Sequence, residues 1–467
     1  MAAEEDDGRP AALLLPTLVR AAEEDDDDTD KLGDESATMR PRPPVGDRTC
    51  RFLGVLFANR RIIRSFSFAI NLFLHLLRRL PWTIPSPSAP IHRVSLLSPS
   101  PQPHLSYSID LRPDLGADSY TKASEPGADS SSFFVLRDDL LHPLANGNKA
   151  RKLDALLPLL LRLPATDLVT CGGCQSSHAA AVAVYCAKRG IRSHLLLRGE
   201  RPEVPTGYNL ISEMFGSSTV YVARSAYIRR NEMLLEHAHG VAGAGGEVMW
   251  IDDIVGEDLG EMNSERGIGE DGSRRVVIVN EGAASSVALL GVIRLVDYLA
   301  QANIFGKEQK IRIVLDAGTG TTAVGLALGV VLLGLPWKVT AVMLADTVER
   351  YKEREKHLIS EFKRIHQIEI PQQTSSGDDD GIVQWVERIH PRRFGKVLDG
   401  EIEACRHIAR QTGILLDPMY TLAAWERAVS LARDAEDDAK AVMLHTGGTL
   451  NMFGLAQRYR SHFSSDD

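Results

Sequence analysis

Cysteine is scarce in the 467-residue chain: Cys50, Cys171, Cys174, Cys186 and Cys405 are all there is. So few thiols do not make a disulfide framework, and nothing in them requires an oxidising compartment. Cys171 and Cys174 have C-x-x-C spacing, but no second pair and no clustered histidines accompany them. The expectation is therefore no metal site and no redox dithiol; the two read as small residues in a tight turn. Aromatic residues make up only 6% of the chain, and 53 basic residues face 62 acidic ones, for a net charge of -9. That balance argues against a nucleic-acid partner, which would be met by basic patches.

Acidic side chains are absent altogether from residues 48–109, where eight arginines stand among Leu, Ile, Phe and Ser, as in FANRRIIRSFSFAINLFLHLLRRLPW. A basic, Ser-bearing, acid-free stretch suits an amphipathic transit segment; mitochondrial import is the expectation, with a plastid or the cytoplasm as alternatives. Stable membrane insertion is not expected, because only 13 residues separate Arg64 from Arg78, short of the roughly 20 that a spanning helix needs. Residues 1–47 carry 14 acidic residues, with a run from Glu23 to Asp28, and are expected to form a disordered tail. Their place ahead of the basic stretch leaves the start of a transit segment open. From Ser86 the chain turns Pro/Ser-rich and reads as an extended arm, so the folded body is expected to begin between about residues 105 and 132.

In the body, apolar runs of strand length alternate with segments of helical spacing. Strands are expected at FFVLRDD (133–139), LVTCGG (168–173), SHLLLRG (193–199), STVYVA (218–223), VVIVN (276–280), IRIVLD (311–316), VTAVMLAD (339–346) and AVMLH (441–445). Helices fit residues 152–163, 177–190, 285–302, 321–333, 401–413 and 422–436. Such alternation predicts an α/β fold with mostly parallel sheets covered on both faces. Two polar, turn-rich stretches, 257–275 and 371–381, read as insertions, the first marking a boundary between two α/β units. The expected division is an acidic tail (1–47), a basic and Pro/Ser-rich arm (48–109), a large domain (110–151 plus 275–467) and a small one (152–274).

Open parallel sheets bind ligands at the carboxyl ends of their strands, so the loops there are the candidates. In NGNKARK (146–152), Lys149 precedes a leucine-rich helix. It is either a solvated lysine or one desolvated enough to be a nucleophile toward an aldehyde. In TCGGCQSSHAAA (170–181), Gln175, Ser176, Ser177 and His178 open a helix, as plain N-caps or as a carboxylate site. In DAGTGTTAVG (316–325), Gly318 and Gly320 allow close approach while Thr319, Thr321 and Thr322 supply hydroxyls. That loop suits a phosphate monoester. It also fits the dinucleotide pattern G-x-G-x-x-A, with Asp346 ending the next strand, or a structural turn. In LLDPMYTLAAWE (415–426), Tyr420 is a proton relay or a core tyrosine. HTGG (445–448) is a further glycine turn that could line the same site.

Taken together and in this order, GNKARKL, GGCQSSHAAA, DAGTGTT, LLDPMYT and HTGG span most of residues 133–455 and resemble the fold-type II pyridoxal-phosphate enzymes. More narrowly, they are similar to the family of 1-aminocyclopropane-1-carboxylate deaminases and D-cysteine desulfhydrases. The resemblance implies a tryptophan-synthase-beta-like fold with two open parallel-sheet domains and pyridoxal 5'-phosphate between them. It further implies a small amino-acid substrate and a homodimer. Lys149 matches the lysine that carries the cofactor covalently, Ser176 a serine at the substrate, and Tyr420 an active-site tyrosine. Ser177 falls where the deaminases have an asparagine beside the cofactor ring. Gly318, Thr319, Gly320, Thr321 and Thr322 match the phosphate loop, and Asn148 and Thr421 complete the expected cofactor contacts.

Two departures bear on the reaction. Thr421 stands where the deaminases place a glutamate at the ring nitrogen, and a hydroxyl cannot hold that nitrogen protonated as a carboxylate would. Phe394 is the best match to a second catalytic tyrosine. Both changes favour β-elimination of D-cysteine to pyruvate, hydrogen sulfide and ammonia over ring opening; the D preference is implied by the resemblance alone. The alternatives are a deaminase or related lyase of the same fold, a nicotinamide oxidoreductase, and a non-catalytic binding protein.

Overall fold

The computed structural model describes residues 66–97, 105–115, 131–145, 147–254, 273–366, 368–370, 381–434 and 438–464. Among these, twelve strands follow in chain order: β1 (Ile91–Leu97), β2 (Ser106–Asp110), β3 (Ser132–Leu136), β4 (Asp167–Gly173), β5 (Arg192–Arg198), β6 (Ser218–Val222), β7 (Glu247–Trp250), β8 (Arg275–Val279), β9 (Ile311–Ala317), β10 (Trp337–Met343), β11 (Gln384–Val386) and β12 (Lys440–Leu444). They form a seven-stranded sheet ordered β11-β10-β9-β12-β3-β1-β2 and a five-stranded sheet ordered β6-β5-β4-β8-β7. The five-stranded sheet is parallel throughout. In the larger sheet only β1 runs antiparallel to its neighbours β2 and β3. Central strands such as β4, β9 and β12 are buried along nearly their whole length, which is why they read as continuous apolar runs rather than alternating ones. The fold class is the expected α/β with two mostly parallel sheets.

The helix Thr321–Leu333 is apolar on every side and buried from Thr321 to Leu332. It can be, because Gly325 and Gly329 let the neighbouring helix Leu289–Leu299 come close: a Cβ at either would fall within 2.9 Å of Val292 or Val296. That packing fixes the start of the helix, where the threonine-rich loop lies.

The chain differs from expectation before residue 110. Helix Phe66–Leu77 sinks Ile70, Phe73, Leu74 and Leu77 into the main core, and the stretch expected as an arm contributes β1 and β2. Arg78 pairs with Asp297 at 2.7 Å, Asp154 accepts from Thr83 N and Ile84 N, and Arg294 donates to Ile84 O and Pro85 O. The unread signals are spacings: 70, 73, 74 and 77 form a helical stripe, and Val94 and Leu96 share one buried face of a strand while Ile91 is buried on the other. From residue 66 to residue 97 the acid-free stretch that suggested targeting lies on the fold; residues 48–65 of it lie outside the described residues. A second difference is β8, which pairs with β4 and so belongs to the five-stranded sheet, whereas residue 275 onward was expected in the large unit. Residues 1–65, including the acidic tail, and most of 257–275 and 371–381 lie outside the described residues.

Candidate active site

The loops singled out in the sequence meet at the carboxyl ends of their strands. Helix Asn148–Arg162 starts earlier than its leucine pattern suggested, placing Lys149 within the first turn. Gly147, with φ +72°, sets that start: its Cα sits against the HTGG turn so closely that a Cβ would lie 1.8 Å from Thr446 O. Asn148 N donates to the same carbonyl at 3.1 Å. The Lys149 amine donates to Asn148 Oδ1 at 2.7 Å, and Asn148 Nδ2 donates to Thr322 Oγ1 at 3.1 Å. Two hydrogen bonds therefore join the lysine to the threonine-rich turn. Thr446 Oγ1 donates to Asp316 Oδ1 at 2.5 Å, tying the HTGG turn to the end of β9.

The threonine-rich turn is built as an anion cradle. Gly320, at φ +84°, precedes helix Thr321–Leu333 and caps it with no side chain, which leaves first-turn N–H groups free for an anion. A Cβ at Gly320 would meet the Trp385 and Tyr351 rings at 3.0 and 3.2 Å. The Tyr351 hydroxyl lies 2.6 Å from Ala317 O and 2.8 Å from Gly318 O, holding the turn from behind. Thr319 and Thr321 hydroxyls are 3.1 Å apart. Gly282, in the turn after β8, packs so tightly on Thr319 that a Cβ would stand 2.7 Å from its methyl group.

Burial lowers the proton affinity of the Lys149 amine, against the attraction of Asp316. Three residues on, Lys152 is more strongly affected, by burial and then by the Lys149 charge; its amine donates to Gly282 O at 2.5 Å. Burial and the two lysines also hold His178 well below the usual histidine range. Thr170 donates to Val279 O at 2.7 Å, so its hydroxyl oxygen, 2.9 Å from His178 Nε2, accepts a proton carried on that nitrogen. The site thus favours uncharged nitrogen bases. Lys152, Asp316 and Tyr351 are additions to the residues that the sequence singles out; Lys152 carries a usable signal, a polar residue on the buried face of an apolar helix.

Ser176 caps helix Ser177–Ala187, its hydroxyl accepting from Ala179 N at 3.2 Å, and Ser177 is the first helical residue. Tyr420 lies beside the threonine-rich turn, 3.6 Å from where a Cβ on Gly318 would be, and its ring meets Phe394 edge to face at 5.5 Å between centroids. Burial and the charges of Asp417 and Asp316 push its hydroxyl upward, so it stays protonated. Thr421 is fully buried; its hydroxyl accepts from Asp417 N at 2.8 Å and lies 3.0 Å from Asp417 Oδ2. Burial and Asp316 raise Asp417 itself to about 7. Among the described residues no cluster of His, Cys, Asp or Glu could hold a metal ion. Cys171 and Cys174 are free thiols, Cys171 buried and raised to about 12 by that burial.

A phosphorylated aldehyde fits this set: hydroxyls and a bare helix N-terminus for the phosphoryl group, and a desolvated amine for the carbonyl. Two α/β sheets with such a site between their strand ends define a pyridoxal-phosphate enzyme of fold-type II. The profile of the family described as pyridoxal-phosphate dependent enzymes matches residues 120–447, and the chain belongs to that family. Its cofactor is pyridoxal phosphate, which sets aside the dinucleotide reading of the glycine loop. The chain is 58% identical, over 84% of its length and 96% of the relative's, to a protein of Oryza sativa subsp. japonica named "Putative D-cysteine desulfhydrase 2, mitochondrial". It is 25% identical to a D-cysteine desulfhydrase of Serratia proteamaculans, covering 68% of this chain and 87% of that one. Its fold is shared with a crystal structure described as an ACC deaminase homologue, with a TM-score of 0.57 and 24% identity over 71% of this chain and 89% of that one.

Proposed function

We propose that this protein cleaves D-cysteine, with water, to pyruvate, hydrogen sulfide and ammonia. The observation that carries the proposal is the Lys149 amine, poised two hydrogen bonds from Thr322. The choice of D-cysteine rests on the similarity to the rice protein so named. Pyridoxal phosphate, when bound, supplies an electron sink for the carbanion left at the substrate Cα. The hydroxyls of Thr319, Thr321 and Thr322 and the helix N-terminus would hold its phosphoryl group, Asn148, Ser177 and Thr421 would contact it, and Lys149 would carry it covalently. Backbone N–H groups near Ser176 and Ser177 receive the substrate carboxylate. Lys149 Nζ, free once the substrate amine has taken its place, takes the proton from Cα: its proton affinity is lowered, whereas the Tyr420 hydroxyl is held protonated and serves as a donor. Thr421 offers no carboxylate and Phe394 no hydroxyl for ring opening, which favours β-elimination.

The relative's name and the basic stretch before residue 66 support mitochondrial import; because helix Phe66–Leu77 belongs to the core, any cleavage lies upstream of it. The large domain is proposed to comprise both sequence parts that form the seven-stranded sheet, the working assembly a homodimer. The test is hydrogen sulfide release by the full chain from D-cysteine, from L-cysteine and, for ammonia, from 1-aminocyclopropane-1-carboxylate. Release from D-cysteine at least tenfold faster than from L-cysteine, with no ring opening, is expected. Turnover of the cyclopropane acid alone would overturn the proposal.

A further inference from the structure

The loop that precedes Ser176 is held from outside its own sheet. Gln175 Oε1 accepts from Tyr208 N at 3.0 Å and Asn209 N at 3.4 Å, while its Nε2 donates to Thr206 O at 3.0 Å. The side chain thereby satisfies the first turn of helix Gly207–Phe215, whose own N-cap residue, Thr206, makes no side-chain capping bond. On the other side stands helix Asn451–Arg458, which follows the HTGG turn that holds Gly147 and Asn148. Gly454 lies flat on Gln175: a Cβ there would fall 2.5 Å from Gln175 Cδ and 2.6 Å from Nε2. Gly207, at φ +57°, meets Leu450 O just as closely, with a Cβ position 2.5 Å away. Gln457 completes the junction, its Nε2 donating to Val204 O at 2.6 Å and its Oε1 accepting from Thr206 Oγ1 at 3.2 Å.

We propose that Gln175, clasped between helix Gly207–Phe215 and Gly454 of the C-terminal helix, is a positioning residue that sets the Ser176–Ser177 loop relative to Lys149 for substrate binding. The chain of contact runs from the Lys149 turn through Thr446 and helix Asn451–Arg458 to Gln175, and so to the N-terminus of helix Ser177–Ala187. It joins the strand ends of the two sheets on the substrate side, as the packing of Gly282, after β8, on Thr319, after β9, joins them at the threonine-rich turn. The proposal rests on the reading that the Ser176–Ser177 loop receives the substrate carboxylate.

Gly454→Ala tests it without threatening the fold, because the methyl group meets the flexible end of Gln175 rather than backbone. The readouts on the cofactor-loaded enzyme are the dissociation constant of D-alanine, followed by the visible absorbance of the bound cofactor, the KM for D-cysteine, and the affinity for the cofactor. Gly454→Ala and Gln175→Ala are each expected to weaken D-alanine binding and raise KM about tenfold, with cofactor affinity unchanged. The double variant is expected to be no worse than Gln175→Ala, since the methyl group then has nothing to displace. Wild-type D-alanine binding in an intact Gly454→Ala protein, or additive losses in the double variant, would overturn the proposal. A wild-type enzyme that binds D-alanine in a clasp-dependent way yet releases no hydrogen sulfide would leave the clasp standing and remove the D-cysteine reading instead. No spectral response to any amino acid in the wild type would overturn both.

Discussion

Replacing Lys152 with Met tests the electrostatics of the site. Lys152 is 2% exposed, and burial followed by the charge of Lys149 lowers its proton affinity far below that of a free lysine. In the unfolded chain it regains the ordinary value near 10.4. Between the lowered value and that one, the unfolded state binds one more proton than the folded state, so folding stability rises with pH. The slope is about 1.4 kcal/mol per pH unit from this one group. Methionine preserves much of the side-chain volume and removes the proton. It also leaves Gly282 O without its 2.5 Å donor, a pH-independent cost of about 1–3 kcal/mol. The two effects separate in a pH series of urea unfolding on the cofactor-loaded protein. From pH 8.5 to 9.5 the wild type is expected to gain about 1.3 kcal/mol relative to Lys152→Met. Parallel pH profiles for the two proteins would refute the reasoning, because they would mean that Lys152 keeps its proton in the fold.

Other consequences follow from single contacts. Gly147→Ala puts a methyl group 1.8 Å from Thr446 O at a φ of +72° and is expected to cut cofactor affinity at least 100-fold, read by equilibrium dialysis. Asp417, held protonated up to about 7 in the fold but ionised above about 3.9 when unfolded, takes stability away as pH rises between those values; Asp417→Asn is expected to lack that slope in a pH series of thermal unfolding. Removal of residues 1–104 takes out Ile70, Phe73, Leu74 and Leu77, about 1.5–3 kcal/mol for each side chain, and is expected to yield insoluble protein on expression. Thr322→Val, which removes the partner of Asn148, is expected to weaken cofactor binding about tenfold by the same dialysis.

Strand and helix alternation was legible wherever strands are buried on both faces, as in β4, β9 and β12, because burial there demands unbroken apolar runs. Toward the two ends of the larger sheet it was not: β1 and β2 mix Ser, His and Arg with their inward residues, and β11 is only three residues long. There composition outweighs spacing, so that a segment of the core reads as an arm. At the site, glycines and hydroxyls after strands marked the loops, since backbone turns and anions both demand them. What those loops touch was not legible. That Gly147 answers to Thr446, Gly282 to Thr319 and Gly454 to Gln175 depends on packing between segments far apart in the chain. Lys152 went unnoticed because a lysine in a helix ordinarily reaches solvent, and only the sheet and helices around it show that this one does not.

The central claim is that the residue carrying the cofactor is Lys149, facing the threonine-rich turn. Borohydride reduction of the holoenzyme, followed by peptide mass mapping, locates the covalent link directly. The account predicts a single reduced phosphopyridoxyl group on Lys149, in the peptide that begins the helix Asn148–Arg162. A label on Lys152, or on any other lysine, would contradict it.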